Sequence, residues 1–210
     1  MEHFEIERKG MMNLLDLDMD ERVQALKKAV QPFKNHAQEH DEKGTFPYEN
    51  FKTLKDIGYP ALTVPKKYGG LGISLYELVQ LQEIIAEADG STALAIGWHM
   101  GLTKHLGETD TWKEEIYEKF AKDVVATGAL INNAATEPAT GSPTRGGRPE
   151  TTAKKVKDGW VLNGRKSFTT LAPILDYIVV TATIDETDQV GSFLVKRNLQ
   201  GVTVDETWDS

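Results

Sequence analysis

The sequence predicts an α+β protein in which an all-helical N-terminal domain precedes a β-barrel-like domain. Two patterns carry this. Through about residue 122 the apolar residues recur at spacings of three and four behind capping residues, the period of helices with one buried face. From Val124 onward the apolar runs become short, β-branched and punctuated by Gly, Pro and Asn, as strands and turns require. A third observation concerns size. A chain of 210 residues with 40% apolar composition can fill one large or two small cores. Helices first and strands afterwards point to two segregated units. The expected boundaries are an extension over 1–12, a helical domain over 13–123 and a β domain over 124–210.

In chain order, Val23, Leu26, Val30, Phe33 and Ala37 fall on one helical face, with Asp18 or Asp20 as cap. Pro32 should kink or divide that helix, because it lacks an amide donor and clashes with the preceding turn. Pro47 suits the first turn of a short helix carrying Phe51, Leu54 and Ile57, which Gly58 ends. Thr63 to Gly72 reads as a glycine-rich loop. Ser74 and Glu77 form a capping box for a strongly apolar helix to about Ala88. Ser91 is the expected cap of the next helix, to about Leu106, and Thr111 with Glu114 a further box. Beyond it, Val124 to Ile131 is an apolar run entering a loop. Lys157-Asp158-Gly159-Trp160 and Asn163-Gly164 are hairpin signals. Tyr177 to Thr183 reads as a buried strand, Gly191 to Lys196 as its partner across a polar turn at Asp185 to Gln189, and Val202 to Val204 as a last short strand.

Bulk composition excludes several functions. A net charge of −8 argues against a nucleic-acid partner gripped by its phosphates. The absence of cysteine removes disulfides, thiolate zinc sites and thiol nucleophiles. No apolar run approaches about eighteen residues, so no membrane span is expected. Met1 to Gly10 is charged and has no apolar centre, so it is not read as a signal peptide. A cytoplasmic location is expected.

The stretch around which the chain is organised is Ala134-Ala135-Thr136-Glu137-Pro138-Ala139-Thr140-Gly141-Ser142-Pro143. Its Gly, Ser, Thr and Pro make it a loop that offers backbone N–H groups and small hydroxyls to a polar or anionic ligand. Gly141 lets a ligand approach the backbone closely. A polar surface turn is the competing reading. Later comes Leu162-Asn163-Gly164-Arg165-Lys166-Ser167-Phe168-Thr169-Thr170.

Together these two stretches resemble the flavin-binding signatures of the acyl-CoA dehydrogenase family. The first, Thr-Glu-Pro-x-x-Gly-Ser, is matched by Thr136, Glu137, Pro138, Gly141 and Ser142. The second, Asn-Gly-x-Lys-x-(Trp/Phe)-(Ile/Val)-(Thr/Ser), is matched by Asn163, Gly164, Lys166, Phe168 and Thr170. Tyr68-Gly69-Gly70-Leu71-Gly72 resembles a further marker of the same family. Thr169 stands where Ile is usual, Pro143 where an acidic residue is frequent, and Asn133 where some members have an aromatic. The resemblance spans about residues 13 to 210.

That resemblance implies a fold of helical domain, middle β domain and C-terminal four-helix bundle, with FAD between the last two. Its flavin contacts carry over to Asn133, Ala135, Thr136, Gly141, Ser142, Phe168, Thr169 and Thr170. Thr136 would bond the pyrimidine side, Phe168 would pack on the ring and Thr170 would bond near N5. Ser142 would meet the pyrophosphate or the CoA portion of the substrate. The implied reaction is α,β-dehydrogenation of an acyl-CoA to a trans-2-enoyl-CoA, with electron-transfer flavoprotein as acceptor and a homo-oligomer, dimer or tetramer, as the complete state. In the family the α-proton is taken by a Glu of the C-terminal bundle. This sequence stops at Trp208-Asp209-Ser210, about where the linker to that bundle begins, so no catalytic residue is named and the chain alone is expected to be inactive. Two other readings stay open: a flavin monooxygenase or oxidase of the same fold, and a non-catalytic binding or assembly module.

Other residues invite chemistry. His36, Glu39 and His40 spell His-x-x-Glu-His, with Glu114, Glu115 or Glu118 as a distant third zinc ligand. That reading explains nothing after residue 122, and a solvated helix face is the simpler account. His99 sits in Gly97-Trp98-His99-Met100-Gly101 and reads as a core histidine, or as part of a helix lying on a cofactor or acyl chain. Thr144-Arg145-Gly146-Gly147-Arg148 is either a solvated loop or a phosphate contact. Lys154, Lys155 and Lys157 read as the wet face of a strand.

Overall fold

In the computed structural model, residues 12–109, 111–142 and 146–207 are described. Met1 to Met11 of the expected N-terminal extension, Asp110, Pro143 to Arg145 and the end at Trp208 to Ser210 lie outside them. Two compact units form. One runs to Leu130 and includes Glu206 and Thr207; the other is Ile131–Asp205.

The first unit is helical. Helix α1 is Met19–Val30, started by Asp18 in a capping box with Glu21. Pro32 divides it as expected: a 3-10 segment, Gln31–Asn35, leads into α2, Ala37–Lys43. Then come α3 (Tyr48–Asp56), α4 (Leu75–Ala88), α5 (Gly90–Glu108) and α6 (Glu114–Thr127). The core is the sum of their apolar faces, with Leu26, Phe51, Leu54, Tyr59, Leu81, Ile85, Ile96, Met100 and Phe120 fully buried. Helix α4 packs against both α1 and α5. Its Ser74–Glu77 box forms as the spacing requires.

Two expected caps are replaced. Helix α5 is capped by Asp89, not Ser91, because Asp89 is the residue left in extended backbone with its carboxylate facing the first turn. Oδ1 accepts from the amides of Ser91 (2.9 Å) and Thr92 (3.2 Å), and Oδ2 from Thr92 Oγ1 and Asn50 Nδ2 at 2.8 and 3.0 Å. The carboxyl is buried, which by itself raises its pKa, but the hydroxyl and amide donors of Ser91 and Thr92 outweigh that and lower it. Helix α6 begins at Glu114 behind Lys113 with no side-chain cap, so the Thr111 box does not form.

The apolar run at Val124 is also not a strand. Val124 to Thr127 is the last turn of α6, ended by Gly128. Strand β1 is Ile131–Ala134 and takes in Asn133 and Ala134. The second unit adds β2 (Thr152–Val156), β3 (Gly159–Asn163), β4 (Tyr177–Ile184) and β5 (Val190–Lys196). The sheet is mixed and centred on β4. One edge of β4 takes β1 and then β2, both parallel; the other takes β5, antiparallel. β2 and β3 form the expected hairpin about Lys157-Asp158. The sheet curls enough for Trp160 of β3 to meet Phe193 of β5, ring centroids 5.2 Å apart.

Asn163-Gly164 is not a hairpin turn. A Cβ on Gly164 would lie 2.7 Å from Thr151 Cα, so glycine is needed there for close backbone approach. Val202 to Val204 alternates half-buried and exposed residues but pairs with no strand among the described residues. Its amide end is taken by a turn, Val202 N to Leu199 O, 3.2 Å.

Replacing Asp89 by Ala removes the cap of α5 and takes the carboxylate partner from Asn50 and Thr92, both buried, leaving them only their bond to each other. We expect a loss of about 2–4 kcal/mol for Asp89→Ala, against about 1 kcal/mol or less for Ser91→Ala. Urea denaturation of the two variants checks the order.

Candidate functional site

The two signature stretches meet within the second unit. The first leaves β1 at Ala134 and turns at once. Glu137 and Gly141 exchange backbone hydrogen bonds of 3.2 and 2.9 Å, closing a small loop over Pro138 to Thr140, and Gly141 takes φ +69° to do so. The second stretch leaves β3 at Asn163 and runs beside the first. Ser167 N–H donates to Thr136 O at 2.9 Å, and Asn132 Nδ2 donates to Thr170 O at 3.0 Å.

Next to the Ser167–Thr136 tie, one residue away on each segment, stands a buried ion pair. Lys166 Nζ lies 2.6 Å from Glu137 Oε1, with side chains 10% and 3% exposed. The carboxylate accepts four further hydrogen bonds. Oε1 takes Thr151 N (3.0 Å) and Thr151 Oγ1 (2.5 Å); Oε2 takes Glu150 N (2.6 Å) and Thr140 Oγ1 (3.1 Å). Lys166 also reaches Thr181 Oγ1 on β4 at 3.3 Å. Burial pushes the Glu137 carboxyl up, but Lys166, the Thr151 hydroxyl and the amides of Thr151 and Glu150 bring it down to about 2. A carboxylate so saturated is a poor proton acceptor at neutral pH. Glu137 therefore holds the loops together and is not a base.

Phe168 is the least expected feature. It has φ +53°, a conformation unfavourable for a bulky residue, and its side chain is 89% exposed. Leu171, three residues on, also has positive φ but is buried. The backbone thus turns twice, presenting one aromatic ring outward and anchoring the next apolar residue inward.

The predicted site residues fall as follows. Thr136, Gly141 and Ser142 sit on the first loop and Phe168, Thr169 and Thr170 on the second, and the ties above join the two loops. Ala135 immediately precedes Thr136. Asn133 lies on β1, exposed, in register with Val179 of β4. Arg148 pairs with Asp188 at 2.7 Å, a contact between the loop before β2 and the turn from β4 to β5. The residues that sequence reasoning passed over are Glu137 and Lys166 as a pair, with Thr151 and Asn132. Opposite charges inside two otherwise small and polar motifs were the available signal.

The donor set suits a flavin. Hydroxyls of Thr136, Ser142, Thr169 and Thr170 match the carbonyls and ring nitrogens of an isoalloxazine, and an outward aromatic plate matches its face. The Ser167 hydroxyl, between Lys166 and Phe168, is buried without a hydrogen-bond partner.

The other candidates are in the helical unit, except for the lysines. His40 engages Thr45 Oγ1 (2.8 Å) through Nδ1 and Glu49 Oε1 (2.7 Å) through Nε2. No group of three or more metal-binding side chains occurs among the described residues. His99 is fully buried, with Nε2 3.1 Å from Pro60 O, which is the core reading. Lys154, Lys155 and Lys157 are exposed. Among the described residues no helix is long and apolar enough to cross a membrane.

The Glu137 carboxyl titrates at about 2 in the fold, against an ordinary value of 4.5. Its folded value is the lower one, so the stability it contributes is complete above 4.5 and is lost as pH falls toward 2. Over that window the stability gap between the wild type and Glu137→Gln should close by about 3 kcal/mol. Denaturant titrations at a series of acid pH values measure this.

Comparison with known proteins places the chain. Residues 20–123 match the family model for the acyl-CoA dehydrogenase N-terminal domain, and residues 132–210 the model for the middle domain. The "Putative acyl-CoA dehydrogenase YdbM" of Bacillus subtilis is 49% identical over 177 residues, covering 84% of this chain and 46% of that protein. L-evernosamine nitrososynthase of a Micromonospora strain is 32% identical over 192 residues, covering 82% of this chain and 41% of that one. The solved structure of KijD3 with FMN and a dTDP-amino-keto sugar superposes with a TM-score of 0.77 at 32% identity, over 93% of this chain and 46% of that one. The chain thus spans about half the length of the curated relatives it matches. Two domain models in their expected order, over the same two units that the fold separates, show that the chain belongs to the acyl-CoA dehydrogenase family.

Proposed function

We propose that this chain contributes the flavin-binding loops of an FAD-dependent enzyme that desaturates an acyl-CoA thioester between its α and β carbons. The observation that carries the reading is the joining of the two signature loops, which together carry an outward aromatic ring and the hydroxyls of Thr136, Ser142, Thr169 and Thr170. Similarity to YdbM over most of the chain supports it. Bound there, FAD supplies the acceptor for a hydride equivalent from the β carbon. The chain's own residues do the rest of what is assigned here. Thr136 and Thr170 donate to the polar edge of the ring system and fix its rotation. Phe168 covers a face and excludes water from it. Ser142 and the backbone at Gly141 offer small donors to the pyrophosphate or to the CoA portion. No α-proton acceptor is assigned within residues 1–210. Electron-transfer flavoprotein as the oxidant of the reduced enzyme, and a homo-oligomeric state, belong to the same proposal.

A second reading has specific support. The nitrososynthase and KijD3 share about a third of their aligned residues with this chain, and the KijD3 structure holds FMN. A monooxygenase of this fold would use the same ring contacts. FMN has no adenylate or pyrophosphate, so contacts from Ser142 to a pyrophosphate would be without use.

The deciding experiment isolates the protein over its complete reading frame and identifies the bound flavin. Bleaching of FAD under anaerobic conditions by acyl-CoAs of graded chain length, with formation of the 2-enoyl product, is expected. Retention of FMN, no bleaching, and oxygen-dependent turnover with an external flavin reductase would replace this reading with the second. Thr136→Ala with Thr170→Ala should weaken FAD retention, each lost donor costing about 0.5–3 kcal/mol. Unchanged affinity and an unchanged flavin potential in that double variant would remove these two residues from the site.

A further inference from the structure

We propose that Glu137 and Lys166 are positioning residues for the flavin: their ion pair sets the spacing and rotation of the two loops before any ligand enters. The inference rests on the flavin reading above, but its geometry belongs to the protein alone.

Glu137 directly follows Thr136, and Lys166 directly precedes Ser167. The ion pair therefore runs beside the Ser167 N–H to Thr136 O hydrogen bond, one residue away on each strand of chain. A single tie leaves two loops free to pivot about it. Two adjacent ties, one of backbone and one of side chains, remove that rotation.

The rotation matters because of Phe168. A non-glycine residue at positive φ is held there at a cost of about 1–3 kcal/mol and needs its surroundings to enforce it. Phe168 gains no packing in return, since its side chain stands almost wholly exposed. What holds it are the flanking ties: Ser167 to Thr136 on one side, and Thr170 O to Asn132 on the other. Lys166 enters the first of these as the neighbour of Ser167. Glu137 is in turn immobilised by Thr140, Glu150 and Thr151, so the pair has a fixed end. Its carboxylate has no capacity left for a ligand. The pair acts through Thr136, Ser167 and Phe168 and touches no cofactor.

The test separates positioning from plain stabilisation. Lys166→Met strands a buried carboxylate and can fail to fold. Glu137→Gln combined with Lys166→Met removes both charges, which is far better tolerated than removing one. Hydrogen exchange on the flavin-free protein reads the Ser167 amide, and FAD titration followed by flavin fluorescence reads binding. In the double variant we expect a cooperative melt and unchanged exchange across β4 and β5. We also expect Ser167 protection reduced about tenfold or more and FAD affinity weakened about 10–100-fold, as when supporting contacts behind a bound group are lost. Lys166→Arg, which keeps the charge, should restore most of the affinity. Wild-type FAD affinity and wild-type Ser167 protection in the double variant would overturn the proposal, because the loops would then be set without the pair. If the wild-type protein binds no FAD, the functional reading fails, and the exchange measurement alone still decides whether the pair orders the loops.

Discussion

The buried contact between Glu137 and Lys166 is the constraint on which the second unit depends. Each ion gives up several kcal/mol of hydration on burial, and mutual attraction alone does not return it. What makes the arrangement tolerable is the number of donors around the carboxylate. They come from the loop after β1 (Thr140), the entry to β2 (Glu150 and Thr151) and the exit from β3 (Lys166). The ammonium then reaches Thr181 on β4. One side chain thus gathers three segments, and its partner adds a fourth. The close approach of Gly164 to Thr151 follows from the same convergence: Thr151 is held by Glu137, and the chain leaving β3 must pass it without a Cβ.

The helical unit is built on a different balance. Its apolar faces are buried against one another, and polar groups such as Asp18, Ser74 and Asp89 set where helices start. Asp89 does this for α5 and also binds Asn50 of α3, tying a helix start to a neighbouring helix side. In both units a buried carboxylate sits at a change of chain direction, surrounded by backbone amides. In the first it fixes where an element begins. In the second, where the strands are short and several side chains of β3 and β5 stay exposed, it fixes how loops meet.

This difference explains what was legible in the sequence. The Ser74–Glu77 box is local, three residues apart, and the spacing alone identifies it; at the start of α1 the sequence left Asp18 and Asp20 both open, and the structure uses Asp18 with Glu21. Asp89 and Ser91 have the same chemistry two residues apart. Asp89 is the one left in extended backbone, and it also accepts from Asn50, thirty-nine positions away, a contact that the spacing does not reveal. The hairpin at Lys157-Asp158 was legible for the same local reason, whereas Asn163-Gly164 carries the same turn chemistry but is spent on a distant neighbour. Val202 to Val204 has a strand's alternation and no partner, since a period of two says which face is buried and not that an edge is free to receive it. The two signatures were legible as a pair of motifs. Their joining was not, because Glu137 meets Thr151 fourteen and Lys166 twenty-nine residues later.

The loops alone do not select between desaturation and oxygen chemistry. In the proposed function the ion pair, the ties between the loops and the outward Phe168 would orient a ring system, and both chemistries need that. Selection has to come from what surrounds the reactive edge of the ring and from who meets its other face. Within this chain the residues that depart from the family pattern are the ones with room to contribute. Thr169 adds a hydroxyl where an aliphatic side chain is usual, and Asn133 offers an exposed amide where some members carry an aromatic. Each replaces apolar cover by a hydrogen-bonding group beside the loops. If the proposed reading holds, the frame and the selectivity are separable: Glu137 and Lys166 would belong to the first, and Asn133 and Thr169 are the positions to compare for the second.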